Sequence, residues 1–307
     1  MLLTMKVSVI IPTYQRPGFL KETVLSVWKQ TLLPDEIIIG DDSKDNLTEE
    51  MVKQELIPNS PVPIHYFHHQ PALREVANVD FQYAKASGDL VLHLHDDDPI
   101  YPGCLEALKK PFEQHPEIVA SFGLQRLIDE AGEVIPNSEN VNLNYFRTPE
   151  RVGLVNGMFA GTVCMFPNNG FLVKRASVLT IGYSDKGRAG KATDFYFGFR
   201  LGQLGKPFYF VNEYTALCRI VHDSQSRGAG ADNDYKSVKI ILEDCKEEDL
   251  GAEVQQMLKE KIPRAITTAA LLKDRTTAFK WLFSKYYRSR LLTPRGVKRI
   301  LQTINPF

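Results

Sequence analysis

The sequence predicts an α/β protein with an open, mostly parallel central sheet flanked by helices. In the first third of the chain, β-branched and apolar runs alternate with segments of helical periodicity, a rhythm typical of parallel sheets. Polar clusters follow three of these runs, at Thr13, Asp41 and Asp96. Ligands of such sheets bind outside the carboxyl ends of the strands. From about Tyr235 the pattern is helical to the end, which predicts a helical C-terminal extension.

Four strands are predicted in this first third. The run Lys6–Pro12 is rich in β-branched residues, which is typical of a strand buried on both faces. Shorter apolar runs predict further strands at Asp35–Asp42, Val62–His69 and Leu90–His95. A helix is predicted between the first two strands. It should start near Pro17, because proline is common at the first helical position.

The middle of the chain continues the alternation less regularly. A helix is predicted over residues 105–117, a strand over 118–129 and a helix over about 193–204. Residues 153–178 are rich in glycine and asparagine, which predicts strands with functional loops. Residues 207–227 predict two strands followed by a loop.

Composition restricts the class of protein. The 307 residues are 43% hydrophobic and 24% charged, which suffices for one large or two modest domains with a core. The formal net charge is zero, so we expect no nucleic-acid partner. The four cysteines lack zinc-like spacing and predict reduced core residues of a cytosolic protein. We expect neither a signal peptide nor a membrane span, because the required apolar and basic patterns are absent from the sequence.

Three consecutive aspartates, Asp96, Asp97 and Asp98, follow the fourth predicted strand. Adjacent carboxylates repel one another, so the run is either solvated, as in a turn or a helix N-cap, or neutralised by a ligand. Its place at the carboxyl end of a central strand favours the ligand. Mg²⁺ and Mn²⁺ prefer carboxylate oxygens and often bridge them to substrate phosphates. The sequence therefore predicts a divalent metal and a diphosphate here.

Three motifs occur in a fixed order in this part of the chain: VSVIIPTYQRPGFLKETVLSVWKQT, DEIIIGDDSKD and ASGDLVLHLHDDDPIYPGCLEAL. Their combination resembles the nucleotide-binding half of a family 2 glycosyltransferase. The resemblance covers roughly residues 6–108 and continues more weakly to about residue 227. It implies the GT-A fold, with a Rossmann-like sheet, and the transfer of a sugar from a nucleoside-diphosphate sugar.

The resemblance also implies which residues bind the donor. The nucleotide-sugar site would comprise Pro12, Thr13, Tyr14, Arg16, Asp41, Asp42, Arg74, Asp96, Arg219 and Arg227. The residues after the first strand would pack along the nucleobase and ribose. One of the two aspartates after the second strand would read the base edge or the ribose, and an Asx-capped turn is the alternative reading of that pair. The later arginines would contact the base or the phosphates.

Counting back from Pro102 places Asp97 at the position that usually ligates the metal in this family, with Asp98 beside it. His95 stands where the family commonly has its first acidic residue. The literal D-x-D of Asp96 and Asp98 is the alternative assignment. The late segment CRIVHDSQSR resembles a family loop and implies His222 as a metal ligand or a diphosphate contact. The implied cofactor is Mn²⁺ or Mg²⁺.

The segment KATDFYFGFRL resembles a helix of the family whose aspartate is the general base. Asp194 occupies that position, and Thr193 replaces the usual glutamate before it. An aspartate near a helix start is otherwise an N-cap or a partner of the helix dipole. A single displacement with Asp194 as the base would invert the anomeric configuration.

The domain organisation follows from the resemblance and the helical pattern. We expect a glycosyltransferase domain over residues 1–234, with a nucleotide-sugar half to about 110 and an acceptor half from about 111, and a helical extension over 235–307. Residues 277–304 carry seven lysines and arginines, no acid, and interleaved aromatic residues such as Trp281, Phe283 and Tyr286. This pattern is typical of a helix on an anionic membrane surface, or of one packed on its own domain with a basic outer face.

The predicted activity is the transfer of a hexosyl or hexosaminyl group, with a UDP-sugar as the first candidate donor, to a glycan or lipid-linked glycan acceptor. Such an enzyme would serve polysaccharide biosynthesis of the cell envelope, in the cytoplasm or peripherally on the inner face of the membrane. Two other classes stay open. A sugar nucleotidyltransferase would carry a glycine-rich phosphate loop after the first strand, where this chain has PTYQRPG. A non-catalytic nucleotide-sugar-binding protein would need no base at Asp194.

Overall fold

The computed structural model describes residues 5–183, 187–221 and 230–305. The chain divides into two compact units, which we call the sheet unit (Met1–Ser184 and Phe197–Val221) and the helical unit (Asp185–Tyr196 and His222–Phe307). The domain boundaries expected near residues 110 and 234 stay predictions.

Within the described residues, the sheet unit contains one eight-stranded sheet. Its strands are β1 (Val7–Thr13), β2 (Glu36–Asp41), β3 (Ile64–His68), β4 (Leu90–His93), β5 (Ala120–Ile128), β6 (Gly153–Val155), β7 (Phe171–Lys174) and β8 (Phe208–Arg219). Their spatial order is β3-β2-β1-β4-β7-β5-β8-β6. The pairs β1–β2, β2–β3, β1–β4 and β5–β8 are parallel, whereas β7 and β6 run antiparallel to their neighbours. The predicted mostly parallel α/β sheet is confirmed.

Helices connect these strands. They are α1 (Pro17–Trp28), α2 (Leu47–Met51), α3 (Glu75–Lys85), α4 (Cys104–Gln114), α5 (Asn140–Asn144), α6 (Gly157–Thr162), α7 (Arg175–Ile181) and α8 (Thr193–Gly202). A π-helical turn (Val52–Leu56) and a 3₁₀ turn (Ile57–Asn59) extend α2, and further 3₁₀ turns lie at Pro149–Arg151 and Gly190–Ala192. Helix α8 begins in the helical unit and ends in the sheet unit.

The core of the sheet unit follows from the alternation of side chains along β1. Val7, Val9 and Ile11 belong to one buried apolar cluster together with residues of α1 and α4. The intervening residues point to the opposite face, where α3 contacts β1 and β2. Because both faces are covered, β1 is buried along nearly its whole length, as the sequence predicted.

Two details differ from the sequence-based expectation. Residues 208–219 form the single strand β8 instead of two strands. It follows β5 through two register shifts near Gly123, where an added Cβ would come within 2.5 Å of Thr215. In the region expected to hold only strands and loops, α6 forms a short helix that Asn156 caps by accepting a hydrogen bond from the backbone N–H of Phe159 at 2.9 Å.

The helical unit confirms the predicted helical extension. Its further helices are α9 (Gly230–Asp244), α10 (Ala252–Leu271), α11 (Arg275–Leu282) and α12 (Pro294–Ile304), with 3₁₀ turns at Glu247–Asp249 and Arg288–Arg290. Its core contains Leu258, Ile262 and Ile266 of α10, which share one face of the helix. Among the described residues, no helix combines the length and apolar character that a bilayer span requires.

All four cysteines are free thiols, as the sequence predicted. Only Cys104 is fully buried, and burial raises the pKa of its thiol. Cys164, Cys218 and Cys245 are partly exposed, so the expectation that all four are core residues is wrong for these three.

Candidate active site

The three aspartates follow β4 directly, and all of them are buried. Buried carboxylates are costly without hydrogen bonds or opposite charges. The solvated turn that the sequence left open is therefore not the environment of this run. The structure places protein partners against each of the three carboxylates.

Residues of β1 and α1 donate hydrogen bonds to Asp96. The Thr13 hydroxyl donates to Asp96 Oδ2 at 2.7 Å, and the Thr23 hydroxyl donates to the Asp96 backbone carbonyl at 2.9 Å. Arg16 lies beside the run, with its Nη1 2.8 Å from Asp97 Oδ2 and 3.5 Å from Asp96 Oδ1. Two residues predicted to bind the nucleotide thus contact the predicted metal-binding segment.

Arg219, at the end of β8, supports the run from another side. Its backbone N–H donates to Asp98 Oδ1 at 2.6 Å, and its Nε donates to the backbone carbonyl of Asp97 at 2.9 Å. Its guanidinium is buried, pairs with Glu22 at 2.7 Å and donates to two carbonyls of the loop Asp129–Glu130, each at 3.1 Å. The described partners of this side chain are all protein groups. Its role as a phosphate contact stays a prediction.

His95, Asp97 and Asp98 form a candidate metal centre. One ligand atom from each residue lies within 4.8 Å of the other two, and His95 Nδ1 is 3.3 Å from Asp98 Oδ2. One imidazole with two carboxylates suits Mn²⁺, while Mg²⁺ prefers oxygen ligands alone. The donor set therefore fits the implied cofactor. The Asp96 carboxylate accepts a hydrogen bond from Thr13. The geometry therefore favours Asp97 and Asp98 as the metal ligands over the alternative pair of Asp96 and Asp98.

The electrostatics of the run also favour a cation. Burial and the charge of Asp97 raise the pKa of Asp96 to about 6. Burial and the charge of Asp98 likewise raise the pKa of Asp97. The ionised form of both carboxylates is thus unfavourable here, even with Arg16 close by. A divalent cation would offset this penalty.

The end of β2 forms the candidate nucleobase site. Asp41 is fully buried, and its carboxylate accepts hydrogen bonds from the Tyr66 hydroxyl at 2.6 Å and from the Ser43 backbone N–H at 2.7 Å. The second bond closes a local Asx-type turn, which the sequence had left as an alternative. These contacts make Asp41 a residue that shapes the end of the strand.

Asp42 borders an open cavity of about 310 Å³. The cavity is lined by Asp42, Ser43, Lys44, His69, Gln70, Pro71 and Ala72. Asp42 Oδ1 accepts a hydrogen bond from the Leu73 backbone N–H at 2.9 Å. The next residue, Arg74, is exposed and has a φ of 69° immediately before α3, a conformation that is strained for a residue with a Cβ.

Sequence reasoning missed a series of hydrogen bonds that ends at the backbone of His95 in the candidate metal centre. Arg147 Nη1 donates to Gln125 Oε1 at 2.8 Å, and Gln125 Nε2 donates to the Asn169 carbonyl at 3.1 Å. Asn169 Oδ1 then accepts from the His95 backbone N–H at 2.8 Å. Arg147 is buried, pairs with no carboxylate among the described residues, and has a pKa that burial lowers to about 10. Only the turn signal Pro167–Gly170 pointed to this region.

The remaining predicted residues lie elsewhere in the chain. Asp194 is half-buried in the first turn of α8 and belongs to the helical unit. His222 and Arg227 fall outside the described residues. Tyr14 is exposed, whereas Pro12 is partly buried next to Thr13. The roles of these residues stay predictions.

Comparison with known proteins identifies the family. The family model for glycosyl transferase family 2 matches residues 8–171, more than half of the chain. The chain belongs to glycosyl transferase family 2. An uncharacterized glycosyltransferase of Bacillus subtilis, YwdF, is 35% identical to this family 2 chain over 109 residues. That match covers 36% of the chain and 39% of the relative, so the chain spans well under half of the relative's length.

Two solved structures resemble the family 2 chain over nearly all of its length. TarS 1-349 of S. aureus, in complex with UDP-GlcNAc, has a TM-score of 0.59 at 16% identity over 98% of this chain and 81% of its own. The mannosyltransferase PcManGT from Pyrobaculum calidifontis, in complex with GDP-Man and Mn²⁺, has a TM-score of 0.59 at 16% identity over 99% of this chain and 87% of its own. These likenesses confirm the predicted GT-A fold.

Proposed function

We propose that this family 2 chain is an inverting glycosyltransferase that uses a nucleoside-diphosphate sugar. The observation that carries the proposal is the cluster of the partly exposed His95 with the buried Asp97 and Asp98 beyond the carboxyl end of β4. A cluster of this composition suits a divalent cation that faces a diphosphate. Family membership and the GDP-Man and Mn²⁺ bound to the mannosyltransferase support the same reading.

The donor would lie along the ends of the first strands. The nucleobase would enter the cavity beside Asp42, whose carboxylate borders it, while Asp41 holds the strand end. Tyr14 offers an exposed aromatic ring after β1, and such rings pack well along bases and sugars. Arg16 and Arg74 would contact the phosphates or the base. UDP is the first candidate nucleotide.

His95, Asp97 and Asp98 would hold Mn²⁺ or Mg²⁺. When bound, the cation stabilises negative charge on the departing diphosphate. Arg219 and the series of hydrogen bonds through Arg147, Gln125 and Asn169 would keep the ligating segment in place, because they bind its backbone and side chains. His222 and Arg227 are proposed as further contacts to the metal or the diphosphate.

Asp194 is the proposed general base. The acceptor hydroxyl oxygen would attack the anomeric carbon, and the bond from that carbon to the diphosphate oxygen would break. Asp194 would take the hydroxyl proton in the same step. The attack from the side opposite the leaving group inverts the anomeric configuration. The acceptor is proposed to be a glycan or a lipid-linked glycan, the transferred group a hexosyl or hexosaminyl residue, and the process polysaccharide biosynthesis of the cell envelope.

The experiment is a thermal-shift panel of UDP-, GDP-, dTDP- and CMP-sugars with Mn²⁺ and with EDTA. We expect one nucleotide to raise the unfolding temperature, and only with the metal, because ligand binding stabilises the folded state. Equal stabilisation in EDTA would contradict the metal role. Analysis of the reaction products then separates a glycosyltransferase from a binding protein, since a protein that only binds the donor neither hydrolyses nor transfers its sugar.

A sugar nucleotidyltransferase is the second candidate. The segment PTYQRPG after β1 places a proline, a tyrosine and an arginine where that class needs a glycine-rich phosphate loop. The family match also favours sugar transfer. Release of pyrophosphate from a nucleoside triphosphate and a sugar phosphate would revive this candidate.

A further inference from the structure

Helix α12 packs on the helical unit through small and polar residues. Its buried positions are Gly296 and Thr303, and Arg299 lies between them on the same face. Arg299 Nε donates to the Pro263 carbonyl at 2.8 Å and lies 3.2 Å from the Thr267 hydroxyl. An added Cβ at Gly296 would come within 2.1 Å of the Arg290 carbonyl oxygen, so this glycine lets the preceding turn pack closely against the helix.

Three of the four large apolar residues of α12 face solvent, whereas Ile300 is partly buried. Val297, Leu301 and Ile304 are exposed by 46%, 60% and 54%, and their spacing of four and three residues places them on one stripe. Leu292, just before the helix, is 96% exposed. A surface helix normally buries its apolar stripe. We call Leu292, Val297, Leu301 and Ile304 the α12 stripe.

The contacts that Arg290 and Arg299 make with α10 show which end of α10 lies near Ile304. Arg290 contacts Lys259, whereas Arg299 contacts Pro263 and Thr267 farther along α10. The two helices therefore run in the same direction, and Ile304 lies toward the end of α10. That end exposes two further leucines, Leu271 and Leu272. Exposed leucines thus occur at the end of α10 as well as on α12.

The sequence that contains the α12 stripe carries charge of one sign. Residues 275–305 contain eight lysines and arginines and no aspartate or glutamate. Arg295 and Lys298 are exposed on α12, and Arg288 and Arg290 are exposed just before it. At helical spacing, Lys298 borders the stripe along one side. A surface of this kind complements an extended anionic surface more closely than a partner of mixed charge.

The aromatic residues do not supply this surface. Trp281, Tyr286 and Tyr287, which are interleaved with the basic residues in the sequence, are buried in the helical unit. Phe283 is the exposed aromatic side chain of α11 and the following turn. Most of the aromatic residues that the sequence pattern rested on are thus buried, and the membrane-surface reading of this segment stays a prediction.

We propose that the α12 stripe is a docking surface for an anionic lipid bilayer. The helix would lie in the plane of the interface, with Leu292, Val297, Leu301 and Ile304 among the acyl chains. Lys298 would then contact the headgroup phosphates and carboxylates, and Arg295 would add to the positive charge near the surface. Such attachment is independent of the transfer reaction, and it holds whatever donor the sheet unit binds.

The experiment is flotation of the full chain with vesicles of phosphatidylcholine and phosphatidylglycerol in a 7:3 ratio, and with phosphatidylcholine alone. We expect binding to the anionic vesicles that falls steeply between 50 and 500 mM salt. The double variant Leu301→Gln with Ile304→Gln should lose at least ~10-fold in binding, because about 0.8 kcal/mol is lost per CH₂ withdrawn from the bilayer. Leu143→Gln with Leu154→Gln is the matched control, since those leucines are 61% and 49% exposed in the sheet unit.

A second pair of double variants tests the role of charge. Arg295→Gln with Lys298→Gln removes two basic residues of α12, and Lys29→Gln with Lys110→Gln is the control, from exposed positions of the sheet unit. Each basic residue near an anionic surface contributes about 1 kcal/mol, so we expect a roughly 5-fold loss per residue for the first pair alone. Circular dichroism of every variant checks that the helices persist. Absence of wild-type binding at 50 mM salt, or a stripe variant that binds as the wild type does, would overturn the proposal. A concentration-dependent dimer that the stripe variant abolishes would assign the surface to a second copy of the chain.

Discussion

The backbone N–H of Arg219 donates to Asp98 Oδ1 at 2.6 Å, and this bond joins the end of β8 to the carboxyl end of β4. The Arg219 side chain adds a bond from Nε to the Asp97 carbonyl and an ion pair with Glu22. One residue thus fixes both proposed metal-ligating aspartates. The buried Nη2 of its guanidinium has this ion pair but no hydrogen-bond partner among the described residues.

The first prediction concerns this positioning role. Arg219→Lys keeps the positive charge but loses the forked geometry that serves Asp97, Glu22 and the loop after β5. We expect Mn²⁺ affinity to fall about 10-fold, because residues that orient ligating groups typically contribute that much. Titration calorimetry with Mn²⁺ alone measures it. Unchanged Mn²⁺ affinity with a weakened nucleoside diphosphate would instead support the direct phosphate contact that the sequence predicts.

The second prediction gives Asp97→Asn opposite effects on metal binding and on stability. Burial and the charge of Asp98 raise the pKa of Asp97, so its ionised form destabilises the metal-free protein near pH 7. Removing the charge should raise the unfolding temperature in EDTA by roughly 1–3 °C. The same variant should lose metal-dependent nucleotide binding. A lower unfolding temperature in EDTA would mean that the Arg16 ion pair outweighs burial and repulsion.

The third prediction separates catalysis from donor binding at Asp194. Asp194→Asn keeps the size of the side chain but removes its basic oxygen. We expect the transfer rate to fall by about 10²–10⁴-fold with nearly unchanged donor affinity. Asp232→Asn is the matched control, because Asp232 is also a half-buried acid in the first turn of a helix of the same unit. A full rate in Asp194→Asn would place the base on another carboxylate.

The fourth prediction concerns acid unfolding of the helical unit. Burial alone would raise the pKa of Asp274, but hydrogen bonds from Tyr235, Lys239 and Thr277 outweigh it and lower the pKa below the usual range. A carboxyl with a lowered folded-state pKa stabilises the protein above its unfolded pKa of about 3.9, and this contribution disappears as the pH falls through the folded value.

Asp274→Asn should therefore lower the unfolding temperature at pH 7, and the difference from the wild type should narrow below about pH 4. The loss at pH 7 should be on the order of 1 kcal/mol, since the hydrogen bonds lose their charge assistance at a partly exposed site where solvent screens the charge. Asp249→Asn, at an exposed position of the same unit, is the control. Equal curves for both variants across the pH range would rule out the ion-pair contribution.

Some of the site could be predicted because its residues are adjacent in sequence to strand ends. Parallel strands bring their carboxyl ends to one edge of the sheet. Thr13, Asp41 and Asp96 therefore meet there once β1, β2 and β4 pair in register. Asn169, Gln125 and Arg147 could not be found in this way. They lie in the loop before β7, in β5 and in the segment after α5, and no local pattern marks their hydrogen bonds.

The sequence by itself determined the α/β class, the parallel core strands, the family and the position of the acidic run, since these depend on local periodicity and on motif order. Tertiary structure decided which atoms meet. Asp96 turns to Thr13 while Asp97 and Asp98 face His95, and α12 turns its polar side inward so that Leu301 and Ile304 remain exposed. The physical reason is that the orientation of a side chain depends on what packs against its element, and those partners lie far away in sequence.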